Sequence, residues 1–149
     1  MLVFTAEFAV KAPIEAVAAF HRDTRALKKL SPPPMVVQLH RVDPMAEGSV
    51  SEFTMWLGPI PIRWRAIHSQ VGPTGFTDTQ DQGPLAFWQH THHFQSMEDG
   101  KTRVQDRVEY CHHPGIKGLL SRLLFSKVGL TALFTYRKWA TRRALKEKS

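Results

Sequence analysis

His90 and His92 stand two residues apart between Trp88 and Phe94, in the stretch GPLAFWQHTHHFQSMEDGKTRVQDRVEYCHH that runs from Gly83 to His113. In an extended strand that spacing sends both imidazoles to one face. Two imidazoles on a shared face suit three kinds of chemistry. They can ligate a metal together with further nitrogen or oxygen donors. One of them, held by a carboxylate, can take and give a proton near neutral pH. Or they can supply a few polar points to the wall of an otherwise apolar cavity. The carboxylate at hand is Asp106, in the alternating run Val104, Asp106, Val108, Tyr110. An ordinary core face has little use for such groups, because burying them costs free energy unless each is hydrogen-bonded.

The turn between the two runs fixes which residues meet. A two-residue Asp99-Gly100 loop would put His92 opposite Arg107, on the polar face. A three-residue loop, Glu98-Asp99-Gly100 with Gly100 left-handed, is a common hairpin type. It pairs Met97 with Lys101, Phe94 with Val104, His92 with Asp106, His90 with Val108 and Trp88 with Tyr110. That register keeps both mixed faces together, as a half-buried hairpin requires, and it predicts a cross-strand His92–Asp106 pair. Arg103, Gln105, Arg107 and Glu109 then form the outer face.

No residue is fixed as catalytic; the candidates are His92 and Asp106, with His92 as an acid–base group held by the carboxylate. A metal reading would add His68 from an earlier strand and Asp106 to the two histidines. No third ligand stands at a diagnostic spacing, so neither a metal nor another cofactor is expected. No serine or cysteine sits in a nucleophile motif and no glycine-rich phosphate loop is present. His93, His112 and His113 suit the surface or the end of the sheet. The single cysteine, Cys111, falls on the outer parity and leaves no internal disulfide framework.

The elements that must position these residues follow from the pattern of the whole chain. Its 149 residues, with 42% apolar and 22% charged, suit one globular domain, 1–149. Leu2 to Lys11 alternates as a first strand, with Phe4, Ala6, Phe8 and Val10 on one face. Pro13 opens a short helix over Ile14 to Phe20, and Asp23 or Thr24 caps a second, Arg25 to Leu30. Ser31-Pro32-Pro33-Pro34 stops it. Strands are predicted over Met35–Val42, Ser49–Leu57, Ile60–Val71 and Phe76–Gln82 before the hairpin. Phe53, Met55 and Leu57 point inward on the third; Ile62, Trp64, Ala66 and His68 do so on the fourth. From Ile116 to Lys146 a helical period links Leu119, Leu120, Leu123, Leu124, Val128, Thr131, Phe134 and Trp139. Gly129 marks a kink or a close contact.

Net charge is +7, which favours an anionic partner such as a membrane surface or an acidic ligand. Arg137, Lys138, Arg142, Arg143, Lys146 and Lys148 crowd the end of the last helix, where cations suit the macrodipole. The four tryptophans are spread over separate elements, and Trp64 and Trp88 have inward parity, which argues for cavity lining and against nucleic-acid stacking. No signal-peptide pattern opens the chain, so a cytoplasmic protein is expected. Arg122, Lys127, Arg137 and Lys138 argue against a membrane span near the C-terminus.

The order of strand, two short helices, six strands and one long helix resembles the helix-grip fold of the START, Bet v 1 and polyketide cyclase superfamily. Asp81-x-Gly83-Pro84-x-x-x-Trp88-x-His90-x-His92-x-Phe94, with Thr102, Asp106, Val108 and Tyr110, then Pro114-x-x-x-Gly118 and Leu133-Phe134-x-Tyr136-Arg137, resembles a bacterial subset of that superfamily. The subset is known as a ligand-binding or cyclase/dehydrase-like domain, sometimes joined to an epimerase-like domain. The resemblance implies an α+β fold, a curved sheet of about seven antiparallel strands around a long C-terminal helix. It also implies a cavity for a lipid, polyketide, quinone or similar hydrophobic molecule. In such a cavity Trp64, Trp88, His90, His92, Asp106, Tyr110 and Phe134 are the expected contacts. The superfamily holds carriers and enzymes alike, so a binding protein is favoured over a cyclase or dehydratase without either being fixed. A lipid carrier docking on anionic membrane through its basic C-terminal helix is the third option.

Overall fold

The computed structural model describes residues 1–148, with side chains through 146. Seven strands form one antiparallel sheet in the order β1-β7-β6-β5-β4-β3-β2. They are β1 (Leu2–Val10), β2 (Met35–Val42), β3 (Val50–Leu57), β4 (Ile60–Gly72), β5 (Gly75–Gln82), β6 (Phe87–Ser96) and β7 (Thr102–Cys111). Each strand from β2 to β7 pairs with the one before or after it, because tight turns allow nothing else, and β1 closes onto β7 from the far end of the chain. This is the helix-grip arrangement, with α1 (Ile14–Arg22) and α2 (Leu27–Leu30) following β1.

The β6–β7 register is the one the three-residue turn demands: His92 lies opposite Asp106, His90 opposite Val108 and Trp88 opposite Tyr110. Asp99 and Gly100 both take left-handed backbone angles, φ 61° and 69°, and Met97 N–H bonds to Lys101 C=O at 2.8 Å. Near the same end of β6, Gly75 of β5 lies opposite His93 and has no room for a side chain, since a Cβ there would lie 1.9 Å from the carbonyl oxygen of His92. Glycine thus lets β5 approach the histidine strand closely. Phe94, Val104 and Val108 on the inner face are fully buried.

The C-terminal helical region differs from the single amphipathic helix expected. A 3-10 turn over Gly115–Gly118 leads into α3 (Leu119–Leu124), and α4 (Lys127–Lys148) starts afresh. Ser126 breaks the run: its hydroxyl accepts a hydrogen bond from Gly129 N–H at 3.0 Å, the bond an N-cap makes to the third helical residue. Gly129 itself is a close-contact point, where a Cβ would lie 2.3 Å from Leu124 C=O. The restart changes the buried stripe. Leu130, Phe134, Thr141, Ala144 and Leu145 are buried, while Ile116, Leu119, Leu123, Val128 and Trp139 are exposed. Leu120 and Leu124 are half-buried and Thr131 is exposed. The 116–131 part of the expected stripe is corrected accordingly. Arg137 lies in phase with Phe134 and Thr141 and turns inward. The side chain of Lys148, counted in the basic cluster, lies outside the described residues.

By length and mean hydropathy alone, Gly115–Lys146 would pass for a membrane-crossing helix. Its break at Ser126 and the inward Arg137 make it a core helix of the domain.

Candidate functional site

A cavity of about 490 Å³ lies between the concave face of the sheet and the helices. That volume falls in the range of small-molecule sites, roughly 300–1,000 Å³. Most of its wall is apolar: Leu27, Leu30, Met35, Met45, Phe53, Met55, Leu57, Trp64, Trp88, Leu124, Phe125 and Leu133. Pro33, Pro34, Leu123 and Ala132 border the cavity and are also exposed, which places its mouth between the proline run and the α3–α4 region.

An aromatic group forms one part of the wall. The rings of Trp64 and Trp88 meet edge to face with centroids 5.5 Å apart, and Phe125 packs on both, at 5.9 Å and 5.4 Å. Phe134, expected as a cavity contact, covers His90, with centroids 5.4 Å apart, while Phe125 is the helix-side ring over the tryptophan pair. Tyr110 is buried beside Trp88. Of the seven expected contacts, Trp64, Trp88, His90 and His92 border the cavity; Asp106, Tyr110 and Phe134 lie one layer behind it.

The polar part of the wall, with one residue behind it, is a cluster that draws on four elements. His90 and His92 come from β6, Asp78 from β5, Asp106 from β7 and Arg137 from α4. His90 Nε2 bonds Asp106 Oδ1 at 2.8 Å, and His92 Nε2 bonds Asp78 Oδ2 at 2.8 Å. The expected cross-strand His92–Asp106 pair is present in the register, with His92 Nδ1 3.6 Å from Asp106 Oδ1, but the hydrogen bond of His92 goes to Asp78 instead. The reason is geometric. Each imidazole reaches a diagonal neighbour rather than the residue directly opposite. His92 lies opposite Phe76 on β5 and stacks on its ring at 4.2 Å. This draws it toward Asp78, which lies opposite His90. His90 stacks on His92 at 3.8 Å and turns to Asp106 on the other side.

Asp78 is the residue that sequence reasoning missed. Its signal was parity: it shares a face with Phe76 in β5, and β5 must neighbour β6. Arg137 was read as a solvated helix-end cation, although its spacing of three from Phe134 put it on the buried side. His68 does not join the histidine pair; its Nδ1 is held by Ser49 Oγ at 2.9 Å.

Burial sets the protonation of the cluster. Burial, and then the neighbouring His90, push His92 down to about 4, against the raising pull of Asp78 and Asp106. It is a neutral imidazole at pH 7. Burial raises Asp78, but the hydrogen bond from His92 and the adjacent imidazoles outweigh it and hold the carboxyl at about 2. Asp106 likewise stays below its ordinary value, through His90 above all. His21, which also borders the cavity, is lowered by burial. Arg137 is lowered by burial against the pull of Asp106 and Asp78, and its Nε is buried without a hydrogen-bond partner.

No protein-family model matches the chain, and no curated protein matches it by sequence. Solved structures do. A protein from Chromobacterium violaceum superposes with a TM-score of 0.78 at 13% identity, over 96% of each chain. The structure of Ara h 8.0201 superposes with a TM-score of 0.66 at 14% identity, covering 94% of this chain and 97% of that one. A nucleoside-diphosphate sugar epimerase from Corynebacterium glutamicum matches with a TM-score of 0.67 and 25% identity. It matches 96% of this chain but only 29% of its own length, so the likeness concerns one segment of that larger protein. Together these structures place the chain in the helix-grip, Bet v 1-like fold.

Proposed function

We propose that this protein binds a hydrophobic or amphipathic small molecule, of the lipid, polyketide or quinone class, between its sheet and α4. The observation that carries the reading is the cavity of about 490 Å³ with an apolar wall and one polar group of side chains. A core meant only for stability would close such a space, because unfilled volume beside large apolar side chains costs free energy. The polar cluster gives the ligand an orientation: apolar body against Trp64, Trp88 and Phe125, polar group toward His90, His92 and Arg137. The sequence likeness to a bacterial ligand-binding subset of the superfamily supports the same reading.

Titration with an apolar fluorophore, followed by displacement with long-chain fatty acids and with aromatic ketones, tests it. Saturable binding at one site, quenching of tryptophan fluorescence and a raised melting temperature are expected, since a ligand of the native state alone stabilises it by mass action. Absence of saturable binding by every probe would remove the reading.

A catalytic reading, cyclisation or dehydration, is favoured by the buried imidazole–carboxylate pairs. The cavity-facing pair is His92 with Asp78, so the acid–base role first drawn for His92 with Asp106 passes to that pair. Under this reading Asp78→Asn abolishes turnover while leaving ligand affinity nearly unchanged.

A lipid-carrier reading is favoured by the surface beside the mouth. Ile116, Leu119, Leu123 and Val128 are exposed there among the exposed cations Lys117, Arg122 and Lys127. Docking would then use α3 and the start of α4 rather than the basic end of α4. Vesicle binding that falls with salt and with loss of anionic lipid is the expected signature.

A further inference from the structure

We propose that Asp78, His90 and His92 form a site for one divalent first-row transition-metal ion, such as zinc or iron(II), facing the cavity, with Asp106 as its outer carboxylate. The inference concerns the polar cluster alone and stands whether or not the apolar wall takes an organic ligand.

The donor set is compact. One ligand atom from each of the three residues lies within 4.8 Å of the others. Asp78 Oδ2 is 2.8 Å from His92 Nε2 and 3.8 Å from His90 Nδ1. Metal–ligand bonds of about 2.0–2.2 Å put neighbouring donor atoms roughly 3–3.5 Å apart, so the three need shift only slightly to share an ion.

The hydrogen bonds point the same way. His90 Nε2 is bound to Asp106 Oδ1 at 2.8 Å, so Nδ1 is the ring nitrogen left toward Asp78, 3.8 Å from its Oδ2. That gap is too wide for a hydrogen bond, and an ion placed in it would be ligated from both sides. His92 Nδ1 is buried with no hydrogen-bond partner. With Nε2 on a metal, the His92 proton moves to Nδ1, where Asp106 Oδ1 is 3.6 Å away. Asp106 then serves as outer acceptor for both imidazoles, the arrangement by which metal-binding histidines are oriented. Charge agrees as well, since the two interior carboxylates Asp78 and Asp106 both act on the guanidinium of Arg137, and buried charge requires compensation.

Access completes the case. Asp78, His90 and His92 all border the cavity, and Asp106 does not. An ion on this two-histidine, one-carboxylate set would keep its remaining positions open toward the cavity, for water or an oxygen of a bound molecule. The sequence-based expectation of no metal rested on the lack of a third ligand at a diagnostic spacing, with His68 as the donor considered. Asp78 takes that place.

Protein stripped with a chelator and titrated with cobalt(II) tests the site. One equivalent should bind with visible ligand-field bands, and zinc should displace it. Zinc should also shift the NMR signals of the His90 and His92 rings while leaving those of exposed His93 in place. Asp78→Asn and His92→Ala should weaken cobalt binding at least about tenfold, and Asp106→Asn by about 10–100-fold. His93→Ala should bind as the unaltered protein does. A spectrum of the unaltered protein without ligand-field bands at one equivalent overturns the proposal, and needs no variant to fold. So does an affinity that falls in His93→Ala but not in Asp78→Asn. The apolar fluorophore titration, run without metal, reports on the organic-ligand reading separately.

Discussion

The two faces of the β6–β7 hairpin carry the same kind of partnership with opposite consequences. On the outer face Arg107 and Glu109 meet at 3.1 Å, with side chains 55% and 36% exposed. On the inner face His90 and Asp106 meet at 2.8 Å, with side chains 4% and 8% exposed. Asp106 and Arg107 are neighbours in sequence, so nothing but strand alternation separates them. An exposed pair gains little, because water screens it and ordering two long side chains costs entropy. A buried pair is worth more mainly through what its loss leaves behind, an uncompensated polar group in the interior. The hairpin shows that partner chemistry does not set the weight of an interaction; the face on which the pair lies does.

Four measurements would break or sharpen this contrast. Asp106→Ala should destabilise the protein most, by about 3–5 kcal/mol in chemical denaturation, since it leaves His90 and Arg137 without that carboxylate. A loss under about 1 kcal/mol would mean that the inner pair behaves like a surface one. Acid should act on the inner face next. His92 is pushed down from 6.5 to about 4, so the unfolded chain binds its proton first. Stability from this residue is then full above pH 6.5 and falls as pH drops through about 4, by about 3 kcal/mol in all. Asp78 contributes stability above its unfolded value of 3.8 that is lost toward pH 2. Melting temperature measured from pH 7 down to 3 follows this, and His92→Phe should flatten the upper part of the curve. Third, Trp88→Ala should weaken binding of an apolar probe about tenfold or more by removing part of the wall. The smallest effect belongs to the outer face: Arg107→Ala should change stability by less than about 0.5 kcal/mol and probe affinity not at all. Equal effects of the last two substitutions on the probe would show that the faces do not differ.

Much of this was legible in the chain itself. The alternation around Gly83–His113 and the Glu98-Asp99-Gly100 turn specify the register, because one slipped residue would exchange Asp106 for Arg107 on the inner face. The inward parity of Trp64 and Trp88 follows from the same period. The helix break was also legible, since Ser126 is a good N-cap residue, but the apolar residues on either side of it masked the restart. Asp78 was harder to see: the run Thr77-Asp78-Thr79-Gln80-Asp81 is polar on both parities, so composition did not distinguish its inner face.

What the sequence by itself determined is therefore local and periodic: which residues share a face, where turns fall, and that β6 and β7 pair as they do. Short-range backbone geometry suffices for that. The partner of each imidazole, the place of Asp78 and the inward turn of Arg137 were decided only in three dimensions. Each depends on β5, β7 and α4 meeting around His90 and His92, elements up to 59 residues apart between Asp78 and Arg137 (137 less 78). The choice between an opposite and a diagonal neighbour is settled by ring stacking on Phe76, a contact that exists only once β5 has paired with β6.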